Sequence, residues 1–320
     1  MFQKISAMLT AAEAVGIFAH ENPDGDAMGS AYSLKLALLA MGKRAEVFLA
    51  PHPDAAALAL IRGREEENLA LADCDLFVAV DCAESARLGA YEAAFLAHPN
   101  TAAIDHHVTH SSFAKETVVQ DVSSCCEIMV QLYEAMQISI DVDIANNLYL
   151  GMVTDTGNFK YSSVTPDTLR RAATLMERGA DFAGIAKWIF DTKTMAYYRL
   201  MRIALDRLTL YADGKVSVLY LTMADFAAAE LAEAEASAIV SLPGTVRGAE
   251  VSVYIRQREN DCFKVSLRSA GEIDVAKIAM ALGGGGHVRA SGYSVSRVAT
   301  VDDIVGAVLR EIKKQQKEER

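Results

Sequence analysis

Apolar residues along the first 180 positions follow two alternating patterns. Val15–Ala19, Leu76–Val80 and Ala102–Ile104 are short continuous apolar runs, and Arg44–Ala50 and Glu116–Gln120 read as strands as well. Unbroken runs of this length fit strands buried on both faces. Between and after them lie segments of helical period: Ala27–Met41, Ser123–Met136, Ile144–Val153 and Asp167–Gly179. The last is entered through Thr165-Pro166 and closed by Gly179, the usual asymmetry of helix ends. This alternation predicts an α/β domain, a mostly parallel sheet flanked by helices. The opening MFQKISAMLTAAEAVG carries Lys4 and then Glu13 within its apolar stretch, and reads as a helix of the mature chain rather than a signal peptide.

Past Trp188 the pattern changes. Met195–Leu208 lacks Gly and Pro and reads as a connecting helix. Lys215–Leu221 alternates as a strand. Ala249–Arg256 and Cys262–Arg268 are alternating runs around Gln257-Arg258-Glu259-Asn260-Asp261, a hairpin signal. A helix (Asp274–Leu282), a glycine run, a strand (Gly292–Ser296) and a helix (Val301–Lys314) complete a smaller α/β domain, and the tail KKQQKEER reads as a solvated helix end. The expected organisation is a first domain over 1–188, a helical linker over 189–208 and a second domain over 209–320.

A chain of 320 residues with 52% hydrophobic and 23% charged residues supports two packed domains and excludes wholesale disorder. No apolar run approaches the ~18 residues that a membrane-spanning helix needs. The net charge of −11 disfavours long duplex nucleic acid, which calls for a basic face. The charge is unevenly placed: residues 1–190 hold 13 Lys/Arg against 25 Asp/Glu, and residues 191–320 hold 18 against 17. Five cysteines, odd in number and without CxxC spacing, read as reduced thiols of a cytoplasmic protein.

The chemistry concentrates where apolar runs end. His20, Asp24 and Asp26 fall within the seven residues after the first run, in His20-Glu21-Asn22-Pro23-Asp24-Gly25-Asp26, followed by Ala27-Met28-Gly29-Ser30. Asp81 follows Leu76–Val80 directly, and Asp105-His106-His107 follows Ala102–Ile104. In open parallel sheets the carboxyl ends of the strands line the ligand crevice, so these groups share one edge. Asp155, in Thr154-Asp155-Thr156-Gly157-Asn158-Phe159, ends a buried helix. Taken singly, each has an ordinary explanation as a helix cap or turn residue; their shared position is what points to a site. Carboxylates this close repel unless a cation or proton lies between them. Oxygen-rich donors with some imidazole and no thiolate set suit Mn²⁺ or Mg²⁺. Four carboxylates overcharge one dication, so a pair with one bridging carboxylate fits better, a centre able to clamp a displacement at phosphorus.

HENPDGDAMGS, the Asp81 strand end, DHH at 105–107 and DTGNF at 155–159 resemble, in order and spacing, the four motifs of the DHH phosphoesterase superfamily. The resemblance implies one Mn²⁺ on His20, Asp24 and Asp81 and another on Asp26, Asp81, His106 and Asp155. It also implies that His107 faces the phosphate and that Asp105 orients an imidazole as an outer partner. In the second half, SLRSAG followed by GGGGHVRASG resembles the DHHA1 domain, with Ser291 where alanine is usual. There Arg256, Arg268, Ser269, Gly284, Gly285, Gly286, His287 and Arg289 are candidate substrate-binding residues. Arginine suits bidentate phosphate contacts, and the glycine run reads as a loop whose amides cradle phosphate.

A DHH–DHHA1 pair with little added sequence is most similar to nanoRNase/oligoribonuclease proteins that also dephosphorylate 3′-phosphoadenosine 5′-phosphate (pAp). That implies a catalytic site in an interdomain cleft and hydrolysis of short RNA to 5′-mononucleotides. A phosphodiesterase for pApA or cyclic di-AMP would use the same chemistry. A RecJ-like exonuclease would need further domains, a manganese pyrophosphatase a different second domain, and a nucleotide-binding regulator a degenerate ligand set. A homodimer is an expectation from exposed sheet edges alone.

Overall fold

The computed structural model describes residues 1–258, 262–296 and 300–318. The chain forms two compact units, Met1–Thr192 and Lys193–Arg320.

The first unit holds strands β1 (Ala14–Phe18), β2 (Arg44–Phe48), β3 (Leu76–Val80), β4 (Thr101–Asp105) and β5 (Glu116–Val119). All pairings are parallel, in the order β2-β1-β3-β4-β5. Its helices are α1 (Gln3–Ala11), α2 (Gly25–Ala40), α3 (Ala55–Leu58), α4 (Glu92–Ala97), α5 (Cys125–Met136), α6 (Val142–Asp155), α7 (Pro166–Glu177) and α8 (Phe182–Ala186). Strands β1, β3 and β4 are buried at every position. Alternate residues serve two cores. Val15, Ile17, Val78, Val80 and Ile104 meet Met28, Ile128, Leu148 and other residues of α2, α5 and α6. Phe18, Phe77 and Ala103 meet Leu88 and Phe95 on the other face. Covering both faces is what makes the strand sequences uniformly apolar. The strand order reverses direction between β1 and β3, the switch point where open sheets of this kind bind ligands.

Helix starts are fixed by side chains. Asp24 accepts from the N–H groups of Asp26 and Ala27, Ser124 from Glu127, and Thr165, just before Pro166, from Thr168. Helices α2 and α6 cross at two glycines. A Cβ on Gly29 would lie 2.4 Å from the Asn147 carbonyl, and one on Gly151 2.2 Å from Cys126 Sγ, so neither position admits a side chain.

The second unit holds β6 (Thr209–Tyr211), β7 (Val216–Leu221), β8 (Val251–Arg258), β9 (Cys262–Ser269), β10 (Gly285–His287) and β11 (Ala290–Ser296), in the order β10-β11-β9-β8-β7-β6. Only the β7–β8 pairing is parallel among the described strands. Its helices are α9 (Met195–Arg207), α10 (Met223–Ala229), α11 (Ser237–Val240), α12 (Val275–Ala281) and α13 (Val301–Glu318). Val218, Val253, Ile255 and Leu267 pack with Ile278 of α12 and Ile304, Val305 and Val308 of α13. Leu219, Leu221 and Tyr254 pack with Tyr197, Leu200 and Ala204 of α9. The helix expected as a connector thus packs on this sheet.

The turn expected over 257–261 includes 259–261, which lie outside the described residues. The glycine run is not an open loop: Gly285–His287 pair antiparallel with Ala290–Gly292 as a tight hairpin. Two of its four glycines are needed for space, since a Cβ on Gly284 would lie 2.2 Å from the Gly292 carbonyl and one on Gly286 2.7 Å from the Ala290 carbonyl. Among the described residues, no helix is long and apolar enough to cross a membrane.

Candidate metal centre

All eight candidate residues of the first unit come together. His20 follows β1, Asp81 follows β3, and Asp105 ends β4 with His106 and His107 beyond it. Asp26 lies in the first turn of α2, and Asp155 is the last residue of α6.

Three overlapping donor groups have their ligand atoms within 4.8 Å of one another: His20, Asp24 and Asp81; Asp26, His106 and Asp155; and Asp81, His106 and His107. Asp81 links them. Its Oδ2 is 3.6 Å from His20 Nε2 and its Oδ1 3.4 Å from His106 Nε2. His106 Nε2 is also 3.3 Å from Asp155 Oδ2 and 3.9 Å from Asp26 Oδ2. Donors at right angles on an ion bound at about 2.1 Å sit roughly 3 Å apart, so these separations suit a shared dication after a small contraction.

Asp81 is 2% exposed, and its Oδ1 makes no hydrogen bond of ordinary geometry. Its backbone takes a left-handed φ of 52°, uncommon for a residue with a side chain and frequent at working sites. A buried, orphaned carboxylate oxygen facing two imidazoles is what a cation would satisfy. The donor set fits a hard or intermediate dication. The thiols of Cys125 and Cys126 are pushed up by burial and turned to Ile104 O and Ser30 Oγ, so no thiolate competes.

The electrostatics show the strain of holding this charge without a cation. Burial and then the Asp81 charge lift Asp155 to about 7, and the same two causes raise Asp26 and Asp24. Burial opposes the charging of His106, but Asp81, Asp26 and Asp155 outweigh it and push His106 up to about 10. Burial would raise Asp81 too, yet the imidazoles of His106 and His20 hold it below the usual carboxylate range. The centre keeps protons where dications would replace them.

Several supporting groups carry no sequence signal. Both Asp26 oxygens accept main-chain N–H bonds from the start of α5, Cys125 N at 2.6 Å and Cys126 N at 2.9 Å. Asp26 is thus aimed by a helix N-terminus, which also favours its charge. Fully buried Glu127 accepts from Arg171 (2.7 Å), Ser123 Oγ (2.7 Å) and Thr168 Oγ1 (2.9 Å), tying α5 to α7. Asp105, buried as well, accepts from His106 N (2.9 Å), His107 Nδ1 (2.7 Å) and His110 Nδ1 (2.7 Å).

In the second unit the candidates gather only in part. Ser269 N donates to Arg289 O (3.0 Å), and Arg289 reaches Ser269 Oγ (3.3 Å). Arg268 is exposed and pairs in register with Ala290, next to the glycine hairpin and His287. Arg256 stands elsewhere. It pairs with Lys264, whereas Arg268 pairs with Ser252, four register steps or about 13 Å along the sheet. It is engaged by Glu233 in an ion pair. The Ser291 hydroxyl is buried and donates to Val275 O at 2.6 Å.

The DHH family N-terminal domain matches residues 14–152 and the DHHA1 domain residues 213–314. A bifunctional oligoribonuclease and PAP phosphatase of Thermus thermophilus is 33% identical over 296 residues, covering 91% of this chain and 87% of that protein. A probable bifunctional oligoribonuclease and PAP phosphatase of Streptococcus mutans is 27% identical over 95% of this chain and 96% of its own. Among solved structures, an exopolyphosphatase-related protein from Bacteroides fragilis shares the fold, with a TM-score of 0.82 at 24% identity, covering 98% of this chain and 95% of that one. Both domain matches and a full-length relative place the chain plainly: it belongs to the DHH–DHHA1 phosphoesterase family.

Proposed function

We propose that this protein hydrolyses RNA fragments a few nucleotides long to 5′-mononucleotides and removes the 3′-phosphate of pAp, using two divalent cations. The observation that carries the reading is Asp81, buried and presenting one oxygen to each donor set. His20, Asp24 and Asp81 would hold one ion, and Asp26, Asp81, His106 and Asp155 the other. Such a pair supplies charge neutralisation at phosphorus and a lowered pKa for the attacking water. The chain does the rest. Asp105 fixes the His107 ring at 2.7 Å, leaving its Nε2 to meet the phosphate or the leaving oxygen. Helix α5 aims Asp26 through two main-chain N–H groups. Arg268 and Arg289 are the exposed cations suited to a nucleotide phosphate. An oxygen-rich set containing imidazole favours Mn²⁺ over Mg²⁺.

The names of the relatives that match over most of the chain support short RNA and pAp as substrates. The acidic first unit supports a short substrate over a long duplex. Five free cysteines, four of them buried, support a cytoplasmic location.

The test is a substrate panel of two-, three-, five- and twenty-nucleotide RNA, matching DNA, pAp, pApA, cyclic di-AMP and pyrophosphate, each with Mn²⁺ and with Mg²⁺. Release of mononucleotide from the short RNAs and of phosphate from pAp, fastest with Mn²⁺, is expected. Turnover confined to cyclic di-AMP or pApA would replace the reading with a dinucleotide phosphodiesterase, and no turnover of any substrate would end it. Light scattering of the same preparation checks the expected homodimer.

A further inference from the structure

His110 belongs to none of the three donor groups, yet it is built into the centre. Its N–H donates to His107 O at 3.0 Å, closing a four-residue turn from His107 to His110. That turn returns the His110 ring to the end of β4, where its side chain is 3% exposed. Its Nδ1 lies 2.7 Å from Asp105 Oδ2. An ionised carboxylate only accepts, so Nδ1 carries the hydrogen. The ring's other nitrogen, Nε2, is buried and has no hydrogen-bond partner. The ring packs at 5.3 Å on Phe113, itself 5.6 Å from Phe95 in the aromatic core beneath the sheet. His110 therefore offers one polar contact, and it goes to Asp105.

Asp105 has two oxygens with different duties. Oδ1 takes the His106 N–H and His107 Nδ1, and Oδ2 takes His110. A carboxylate held at one oxygen only can rotate about its Cβ–Cγ bond and exchange partners. We propose that His110 is a positioning residue. By occupying Oδ2 it locks the Asp105 carboxylate so that Oδ1 holds His107 in the Nδ1–H tautomer with Nε2 free. The inference rests on the phosphoesterase reading for its kinetic readout, and on geometry alone for its spectroscopic one.

Two variants separate the hydrogen bond from the packing. In His110→Asn the amide nitrogen takes the place of Nδ1, so the donor stays and the ring is lost. In His110→Phe the ring stays against Phe113 and the donor is lost. His110→Phe is expected to lower kcat about 10–100-fold with KM unchanged, the usual cost of removing an outer partner of a metal centre. His110→Asn is expected to keep the wild-type kcat at a lower Tm. Long-range ¹H–¹⁵N spectra of the Mg²⁺-loaded protein should show one Nδ1–H tautomer for His107 in the wild type and in His110→Asn, and mixed tautomers in His110→Phe. The proposal is overturned if His110→Phe retains both full kcat and a single His107 tautomer, or if His110→Asn shows the same tautomer mixing as His110→Phe. If the wild type itself turns over no phosphoester, the functional reading fails, and the tautomer spectra still decide the role of His110.

Discussion

The two units treat charge in opposite ways. In the first, Asp26 and Asp105 are fully buried and Asp81 nearly so, and Asp26 and Asp105 are each held by at least two hydrogen bonds. In the second, Arg268, His287 and Arg289 stand exposed beside a hairpin, with few protein partners. Buried charges must have their partners built in, because an unpaired one costs several kcal/mol. Exposed ones can wait for a ligand. The first unit therefore carries a prebuilt set of donors, and the second carries cations open to solvent.

Removing Asp81 should break this comparison most sharply. Asp81→Ala takes one donor from each set, and turnover should fall by more than ~10³-fold, beyond the ~10²–10³ attached to a single oxyanion donor. Isothermal titration with Mn²⁺ should lose binding in parallel, and near-wild-type activity would refute the bridging role. Arg268→Ala should act on the other unit: KM for a trinucleotide should rise by about 10–100-fold with kcat little changed, corresponding to ~1.5–3 kcal/mol for a charge-assisted hydrogen bond. Steady-state kinetics decide it, and unchanged constants would make Arg268 an ordinary solvated strand residue.

A milder probe is pH. Asp155, at about 7 in the folded chain, binds its proton more tightly than when unfolded. Its contribution to the stability of the metal-free protein is therefore present below about 4 and lost as pH rises through 7. Bound cations remove that loss. The Tm difference between Mn²⁺-loaded and chelated protein should widen as pH rises from 4 to 7, read by calorimetry; a constant difference would contradict it. Smallest of all, Arg256→Ala should leave KM unchanged and lower stability by at most ~1 kcal/mol, as for a partly exposed ion pair, in thermal melts. A large KM effect would return Arg256 to the binding group.

The first unit was largely legible because its signals are physical necessities. Strands covered on both faces must be apolar throughout, so polar residues at their ends stand out, and His20, Asp81 and Asp105–His107 were visible for that reason. His110 was not, because a turn rather than a period brings it back to Asp105. The N–H groups of Cys125 and Cys126 were invisible because main-chain donors have no letter. In the second unit the glycine run showed freedom but could not distinguish a loop from a hairpin that needs room. Arg256 and Arg268 are candidates by residue type, and their separation along the sheet follows from the strand register. The alanine-rich stretch from Met223 to Thr245 forms helical turns too brief to display a period.

Asp155 ends α6, and that position has a temporal consequence. The proposed donors span residues 20 to 155, and the strands that carry most of them can pair before α6 exists. The second donor set remains open until the chain has grown past Asp155 and α6 has settled against Gly29 of α2. An ion that needs Asp155 cannot template the early sheet; it can only be captured once α6 is in place. Loading with that ion would then follow the docking of α6, and a nascent or half-refolded chain would stay chemically silent until that helix arrives.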